Sequence, residues 1–324
     1  MVPAILGFLA CTAAIVWAGT RLTAYADMIA ERTRLGRVWA GMLLLAVATS
    51  LPELLNSTSA AVLDLPDIAV GDLAGSNALN LVILGLADVF SRHRSCLHNL
   101  DRFHFRSASI VGLMSAFAFV ALMAGRVIPQ LGWISPITPV LLALYVCCLR
   151  KADRASETAV LSPVAPHLSF TAVVTRYALL ALVVIIAAVL LPRWGSQIAV
   201  HTGLGNTFVG TTMIAAATSL PELVTVVAAV RLGAAEMAVG GILGSNLFNL
   251  AILGLVDVVY WRGNLFAAVE HAHAIPLLTG VVLVALFTVV MANCPRGRFL
   301  RITWFGWVAL AVYVTNAVCL YFVR

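Results

Sequence analysis

Shifted by 169 residues against itself, the chain aligns Thr49–Phe90 with Thr218–Val259 without a gap, and 22 of the 42 aligned positions are identical. The identities include polar phrases, which chance likeness between apolar segments does not supply. TSLPE stands at 49–53 and again at 218–222, and GSN at 75–77 and again at 244–246. An asparagine follows each GSN, Asn80 in the first copy and Asn249 in the second. Upstream, Gly36 falls on Gly205 and Gly41 on Gly210. The chain is therefore an internal duplication, and any fold it adopts must accommodate two copies of one unit.

The solvent of that unit follows from hydropathy. Of the 324 residues, 62% are hydrophobic and 10% are charged, whereas soluble domains carry about 25% charged residues. The apolar residues come in long runs without period-2 alternation, which predicts a polytopic α-helical membrane protein and excludes a β-barrel. The runs place ten spans near 3–20, 38–63, 68–90, 107–125, 131–149, 171–192, 205–230, 236–260, 274–293 and 302–322. The first has no basic segment before it and matches a span of the second half, so it is expected to stay as a transmembrane helix and not to be a signal peptide. Residues 1–149 then form one five-helix repeat and residues 171–324 the other, with the charged, proline-bearing stretch 150–170 as linker.

Five spans per copy is an odd number, so the second copy enters the membrane from the opposite side. Such inverted-topology repeats are typical of secondary transporters, whose binding sites lie at the repeat interface near the bilayer midplane. Sixteen of the 20 Lys and Arg residues fall in the loops of one face. The positive-inside rule makes that face cytoplasmic, which predicts a cytoplasmic linker and both termini outside. The compact chain suggests a prokaryotic inner membrane. A net charge of +6 built from such loop residues is no nucleic-acid footprint. The six cysteines have no paired metal spacing, and the seven histidines form no HExxH. With GxSxG also absent, neither a resident cofactor nor an enzyme is expected.

The repeated phrases carry the chemistry. Glu53 and Glu222 lie near the middle of their spans, where an ionised side chain costs roughly 2.5–3.5 kcal/mol on insertion scales. No Lys or Arg lies mid-span to pair with them, so a cation, a proton or water must. Thr49 and Glu53 are spaced i,i+4 on one helix face, and Pro52 disturbs the carbonyl four residues earlier. Ser50 adds a hydroxyl, and Thr218, Ser219, Pro221 and Glu222 repeat the set. In the following span Ser76 with Asn80, and Ser245 with Asn249, again share a face, while Gly75 and Gly244 allow close helix approach. Hydroxyls, amides, carbonyls and two carboxylates make a hard oxygen cage suited to Ca²⁺ or Na⁺. Asn77 and Asn246 are one residue off that face and are expected to pack. A channel would use the same oxygens, but inverted halves with broken helices favour alternating access.

TSLPE followed by GSNxxN, in two inverted copies of five spans, resembles the cation/calcium exchanger superfamily, and within it the prokaryotic sodium/calcium exchangers. The resemblance implies that Glu53 and Glu222 are the central cation ligands. It also implies ligation by Thr49, Ser50, Thr218, Ser219, Ser76, Ser245, Asn80 and Asn249, and by the backbone carbonyls of Ala46 and Ala215. It implies exchange of Ca²⁺ for Na⁺, with inorganic cations as substrates and the lipid bilayer as surroundings. Two departures stand out. Sodium/calcium exchangers often have Asp at the place of Asn249, and two glutamates without it resemble proton/calcium exchangers, so H⁺ is the alternative coupling ion. Asp72, one turn before Ser76, stands where the family often has Asn and is expected at an exposed vestibule position. Asp88 and Asp257, a matched pair about 12 Å beyond Asn80 and Asn249, are expected near the membrane interfaces, with ion access as a candidate role.

Overall fold

The computed structural model describes residues 1–33, 49–91, 97, 100, 102–152, 168–231, 235–293 and 298–323. In chain order the helices are α1 (Val2–Thr33), α2 (Leu51–Val62), α3 (Pro66–Leu86), α4 (Arg102–Ala124) and α5 (Ile137–Ala152). They continue as α6 (Phe170–Thr202), α7 (Asn206–Thr218), α8 (Leu220–Arg231), α9 (Ala235–Val259), α10 (Ala274–Asn293) and α11 (Trp304–Val323). A two-residue hairpin, Arg298–Phe299 with Ile302–Thr303, precedes α11.

Seven of the described helices are long and apolar enough to cross a membrane, and α7 with α8 forms an eighth span bent by 45°. Helix α5 is apolar but shorter. The remaining expected span, 38–63, is described only from Thr49 onward, so the full count of ten rests on residues outside the described set. Helices α1 and α6 run well past the expected ends at 20 and 192. Hydropathy marks only the lipid-soluble part of a helix, whereas backbone hydrogen bonding continues until a capping signal stops it. For α6 that signal is Gly203, at φ 69°, a left-handed C-terminal stop that glycine adopts at low cost.

The shift of 169 carries over into the elements. Residue 2 of α1 maps to 171 in α6, residue 66 of α3 to 235 at the start of α9, and residue 102 of α4 to 271 just ahead of α10. The two equivalent helices α1 and α6 lie side by side and antiparallel. Gly7 faces the Trp194 ring, Leu22 packs with Leu180 and Val184, and Tyr25 accepts a hydrogen bond from Arg176 at 3.3 Å. This pair thus runs in opposite directions in the two copies, as an inverted duplication requires.

Burial runs opposite to that of a soluble protein. Helix α6 turns Leu179, Leu182, Ile185 and Ile186 outward, and α11 exposes Val314, Val318 and Phe322. The most interior spans are α3, 78% buried over its apolar window, and α9, 72%, against 28% for α6. These two carry GSNxxN. Helix α3 approaches the broken helix α7 very closely. A Cβ on Gly75 would stand 2.2 Å from the Thr211 carbonyl oxygen, and one on Gly71 would stand 3.1 Å from the Gly210 Cα. Across that contact Gly210–Ile214 is wound as a π-segment, a local form that recurs at functional sites.

Candidate cation site

The TSLPE phrase breaks its helix in the second copy, and in the first it opens helix α2. Ser219 sits between α7 and α8 at the 45° bend, and Ser50 directly precedes α2. Proline at the second position of each following helix has no N–H to donate, so the carbonyl four residues earlier loses its usual partner. The break leaves Thr–Ser at one helix end and Glu in the first turn of the next. The carboxylates are thereby held beside backbone N–H groups, as helix N-termini favour.

Two contacts tie the copies together. Ser50 Oγ donates to Glu222 Oε1 at 3.3 Å, and Ser219 Oγ donates to Glu53 Oε1 at 3.3 Å. They are the same bond written twice, since 50 and 53 map to 219 and 222. Each glutamate is thus gripped by the opposite half. Ser245 Oγ also donates to Glu222 Oε1 at 3.1 Å and lies 2.8 Å from Ser50 Oγ. Thr49 hydrogen-bonds Glu222 as well. Asn80 Nδ2 reaches Ser245 Oγ at 3.5 Å and Asn246 Oδ1 at 2.9 Å. Asn246 Nδ2 in turn donates to the Asn77 backbone carbonyl at 3.1 Å.

All these side chains are buried, Glu53 at 0% exposure and Glu222 at 2%. Even so, Glu53 Oε2, Glu222 Oε2, Asn80 Oδ1 and Asn249 Oδ1 have no hydrogen-bond partner. Buried polar atoms are nearly always paired, and an unpaired one marks strain or a missing ion or water. The unpaired atoms of Glu53, Glu222 and Asn80 are oxygens, the donor type that a hard cation takes. No three acidic, His or Cys side chains converge on one ion-sized point among the described residues.

Asn249 does not join this hydrogen-bonded run. Its amide faces a cavity bounded by Asn77, Ser115, Pro276 and Gly280, and both amide atoms lack partners. The Ala215 carbonyl takes the Ser219 N–H at 3.0 Å and lies 3.3 Å from Thr218 Oγ1, at the edge of the site. Ala46 lies outside the described residues.

Asp72 contradicts its expected exposed position. It is fully buried, and its carboxylate gathers four donors. Asn56 Nδ2 donates to Oδ2 at 2.6 Å and Ser57 Oγ at 3.0 Å; Thr218 Oγ1 donates to Oδ1 at 2.9 Å and Ser76 Oγ at 3.5 Å. A helical position one turn before Ser76 suggested a vestibule, but the close packing of α3 on α7 at Gly71 and Gly75 seals that turn inside the protein. Asn56 and Ser57, which create this niche, were not singled out from the sequence. Their polarity within an apolar run was the available signal.

Asp88 and Asp257 are also fully buried. Asp257 Oδ2 accepts from the Ser135 N–H at 2.8 Å and from Thr138 Oγ1 at 2.5 Å, which pins the start of α5. Asp257→Ala orphans those two donors and is expected to destabilise the fold by about 1–3 kcal/mol while transport per folded chain stays unchanged. Thermal unfolding alongside flux checks both halves of that expectation.

With this geometry in place, the comparisons with known proteins align. A family model described as sodium/calcium exchanger protein matches residues 3–150 and again 171–322. The chain belongs to the sodium/calcium exchanger family, a family of transporters and not of enzymes, and it is an integral multi-pass membrane protein. Inner membrane protein YrbG of Escherichia coli is 31% identical over 255 residues, covering 76% of each chain. Sodium/calcium exchanger MaX1 of Methanosarcina acetivorans is 26% identical over 332 residues, covering 92% of this chain and 93% of its own. The crystal structure of the H⁺/Ca²⁺ exchanger CAX superposes with a TM-score of 0.75 at 16% identity, covering 97% of this chain and 81% of that one, a likeness of fold.

Proposed function

We propose that the chain is a secondary antiporter that exchanges Ca²⁺ for Na⁺ by alternating access, driven by an ion gradient. One observation carries the reading: two fully interior glutamates, each bonded to the serine of the opposite half, each keep one carboxylate oxygen without a partner. Two carboxylates balance one Ca²⁺, and the surrounding oxygens supply the six to eight ligands that Ca²⁺ takes. In this reading Glu53 and Glu222 are the central ligands. Thr49, Ser50, Ser76, Asn80, Thr218, Ser219, Ser245 and Asn249 complete the set with the carbonyls of Ala46 and Ala215, and the transported cations are substrates.

Ten spans in two inverted halves, residues 1–149 and 171–324, frame the site, and residues 150–170 link them on the cytoplasmic side. The double family match and the antiparallel α1–α6 pair support that arrangement. A prokaryotic inner membrane fits the name of the Escherichia coli relative, and the arginine distribution favours termini outside.

Na⁺ is favoured by the family's description and by the name of the relative MaX1. Asn249, together with the fold shared with an H⁺/Ca²⁺ exchanger, supports H⁺ as the second reading. ⁴⁵Ca²⁺ uptake into proteoliposomes tests the pair. Na⁺ coupling predicts uptake with an outward Na⁺ gradient and none with K⁺ inside; uptake driven only by a pH gradient overturns it in favour of H⁺.

A further inference from the structure

The duplication extends to a second set of titratable groups, away from the glutamates. Shifted by 169, Asp67 falls on Glu236, Asp101 on Glu270 and His104 on His273. An acidic residue thus stands in the first turn of each GSNxxN helix, α3 and α9, and each copy has an acidic residue three places before a histidine. The structure joins these groups crosswise. His273 Nε2 lies 3.1 Å from Asp67 Oδ1, and His104 Nε2 lies 2.5 Å from Glu236 Oε2. They are one carboxylate–histidine pair formed twice. In each, the carboxylate belongs to one half and the histidine to the other.

Both histidine side chains are buried, at 0% exposure for His273 and 7% for His104, while their partners reach solvent, Asp67 at 19% and Glu236 at 53%. Around His273 the Glu270 N–H donates to Asp67 Oδ1 at 2.8 Å. Thr207 Oγ1 donates to Glu270 Oε2 at 2.8 Å and lies 3.3 Å from His273 Nε2. The starts of α3, α7 and α10 therefore meet at one imidazole, whose buried Nδ1 has no hydrogen-bond partner. The titratable groups beside it are Asp67 from α3 and Glu270 and the exposed His271 from its own segment. Helix α7 presents the neutral Thr207, and the end of α4 packed alongside, ALMA, carries no charge. Beside His104 stand Glu236 from α9 and, on its own helix, the exposed Arg106. Asp101 and Arg102 adjoin it in sequence.

Each carboxylate stands nine residues before the serine of its helix, Ser76 or Ser245, about 14 Å along the axis. Helices α3 and α9 are equivalents in inverted copies, so one pair lies on each side of the site. In the orientation that the arginines favour, Asp67–His273 is at the outer face and Glu236–His104 at the cytoplasmic face. Alternating access rocks one half against the other around a fixed site, so a bond between halves at either mouth has to be released and remade. Histidine ordinarily changes charge between about pH 5 and pH 8, and a hydrogen bond with ionised partners is roughly twice as strong as a neutral one. Resting on the antiporter reading above, we propose that the two pairs are proton-sensitive latches, one at each face: a proton on His273 or His104 tightens that latch and slows alternation.

The test is Na⁺-driven ⁴⁵Ca²⁺ flux in membrane vesicles of defined orientation, with pH set separately on the two sides. Taking either side from about pH 8 to about pH 5.5 is expected to slow wild-type exchange by roughly five- to tenfold, the effect of replacing a neutral bond by a charge-assisted one. His273→Gln keeps an amide donor for Asp67 but cannot become charged. It is expected to match wild type at high pH, to lose the response to outer acid and to keep the response to cytoplasmic acid. His104→Gln should do the reverse. Any proton dependence of the glutamates or of the transported ions is shared by wild type and variants, so the difference between profiles isolates the latches. A wild-type rate that fails to fall as each side is acidified in turn overturns the proposal, however the variants fold. An unchanged outer profile in folded His273→Gln overturns it too. Absence of Ca²⁺ flux from wild type at every pH would instead count against the antiporter reading on which the latches depend.

Discussion

Glu53→Gln and Glu222→Gln are each expected to abolish Ca²⁺ exchange while leaving folded protein in the membrane. Glutamine fills the same volume and can still accept the serine hydrogen bond from the opposite half, so the fold loses little. A bound cation would lose a full negative charge, and among the described residues no Lys or Arg pairs with either glutamate. Breaking one partner of a buried charge pair costs about 3–5 kcal/mol, and every 1.4 kcal/mol is a factor of ten in affinity. Flux at low Ca²⁺ should therefore fall by roughly two to three orders of magnitude in either variant. The two effects should be similar in size, because the bonds at 3.3 Å are copies of each other. Ser50→Ala and Ser219→Ala should weaken exchange by far less, since a neutral hydroxyl is removed and the charge stays. Initial rates of ⁴⁵Ca²⁺ uptake, normalised to folded protein by size-exclusion chromatography, check the series. Wild-type flux in either glutamine variant would sink the site assignment.

The second large effect is expected from Gly75→Val. A Cβ there would sit 2.2 Å from a backbone oxygen of α7 and 2.8 Å from the Ala215 Cβ. Neither neighbour can rotate away, so α3 must part from α7. Overpacking of this kind costs typically about 1–3 kcal/mol, and here it also displaces Ser76 from Thr218 and Asp72. A lower thermal unfolding midpoint and loss of exchange are expected together. Gly112→Ala is the control. Its Cβ would meet only the Val284 Cγ1, at 3.3 Å, and it should fold and transport like wild type. A Gly75→Val protein with unaltered melting would contradict the close approach.

The duplication made much of the site legible before any coordinates. A carboxylate mid-span is expensive once, and a second at the matched position, in the same TSLPE phrase, points to a shared ligand. Glu53, Glu222, Ser50 and Ser219 were found on that ground and do meet across the halves. The same logic hid Asp72, because a residue with Gly241 as its counterpart has no repeat to vouch for it. Its burial depends on α3 lying against α7, a tertiary contact that no local spacing encodes. Asn249 is a different case: the repeat equates it with Asn80, but its neighbours differ and it faces a cavity. The π-wound stretch Gly210–Ile214 was also invisible, because GTTMI carries no proline or glycine pattern that separates a wider turn from an ordinary helix. The overshoot of α1 and α6 came from treating the end of hydropathy as the end of a helix.

The central claim is that two inverted copies build one Ca²⁺ position between them. Equilibrium Ca²⁺ titration of purified wild type, Glu53→Gln and Glu222→Gln reads it directly. One site built jointly predicts a single Ca²⁺ per chain, with that binding lost in either variant. Two Ca²⁺ per chain, each lost only with the glutamate of its own half, would mean that each copy binds alone and would contradict the account.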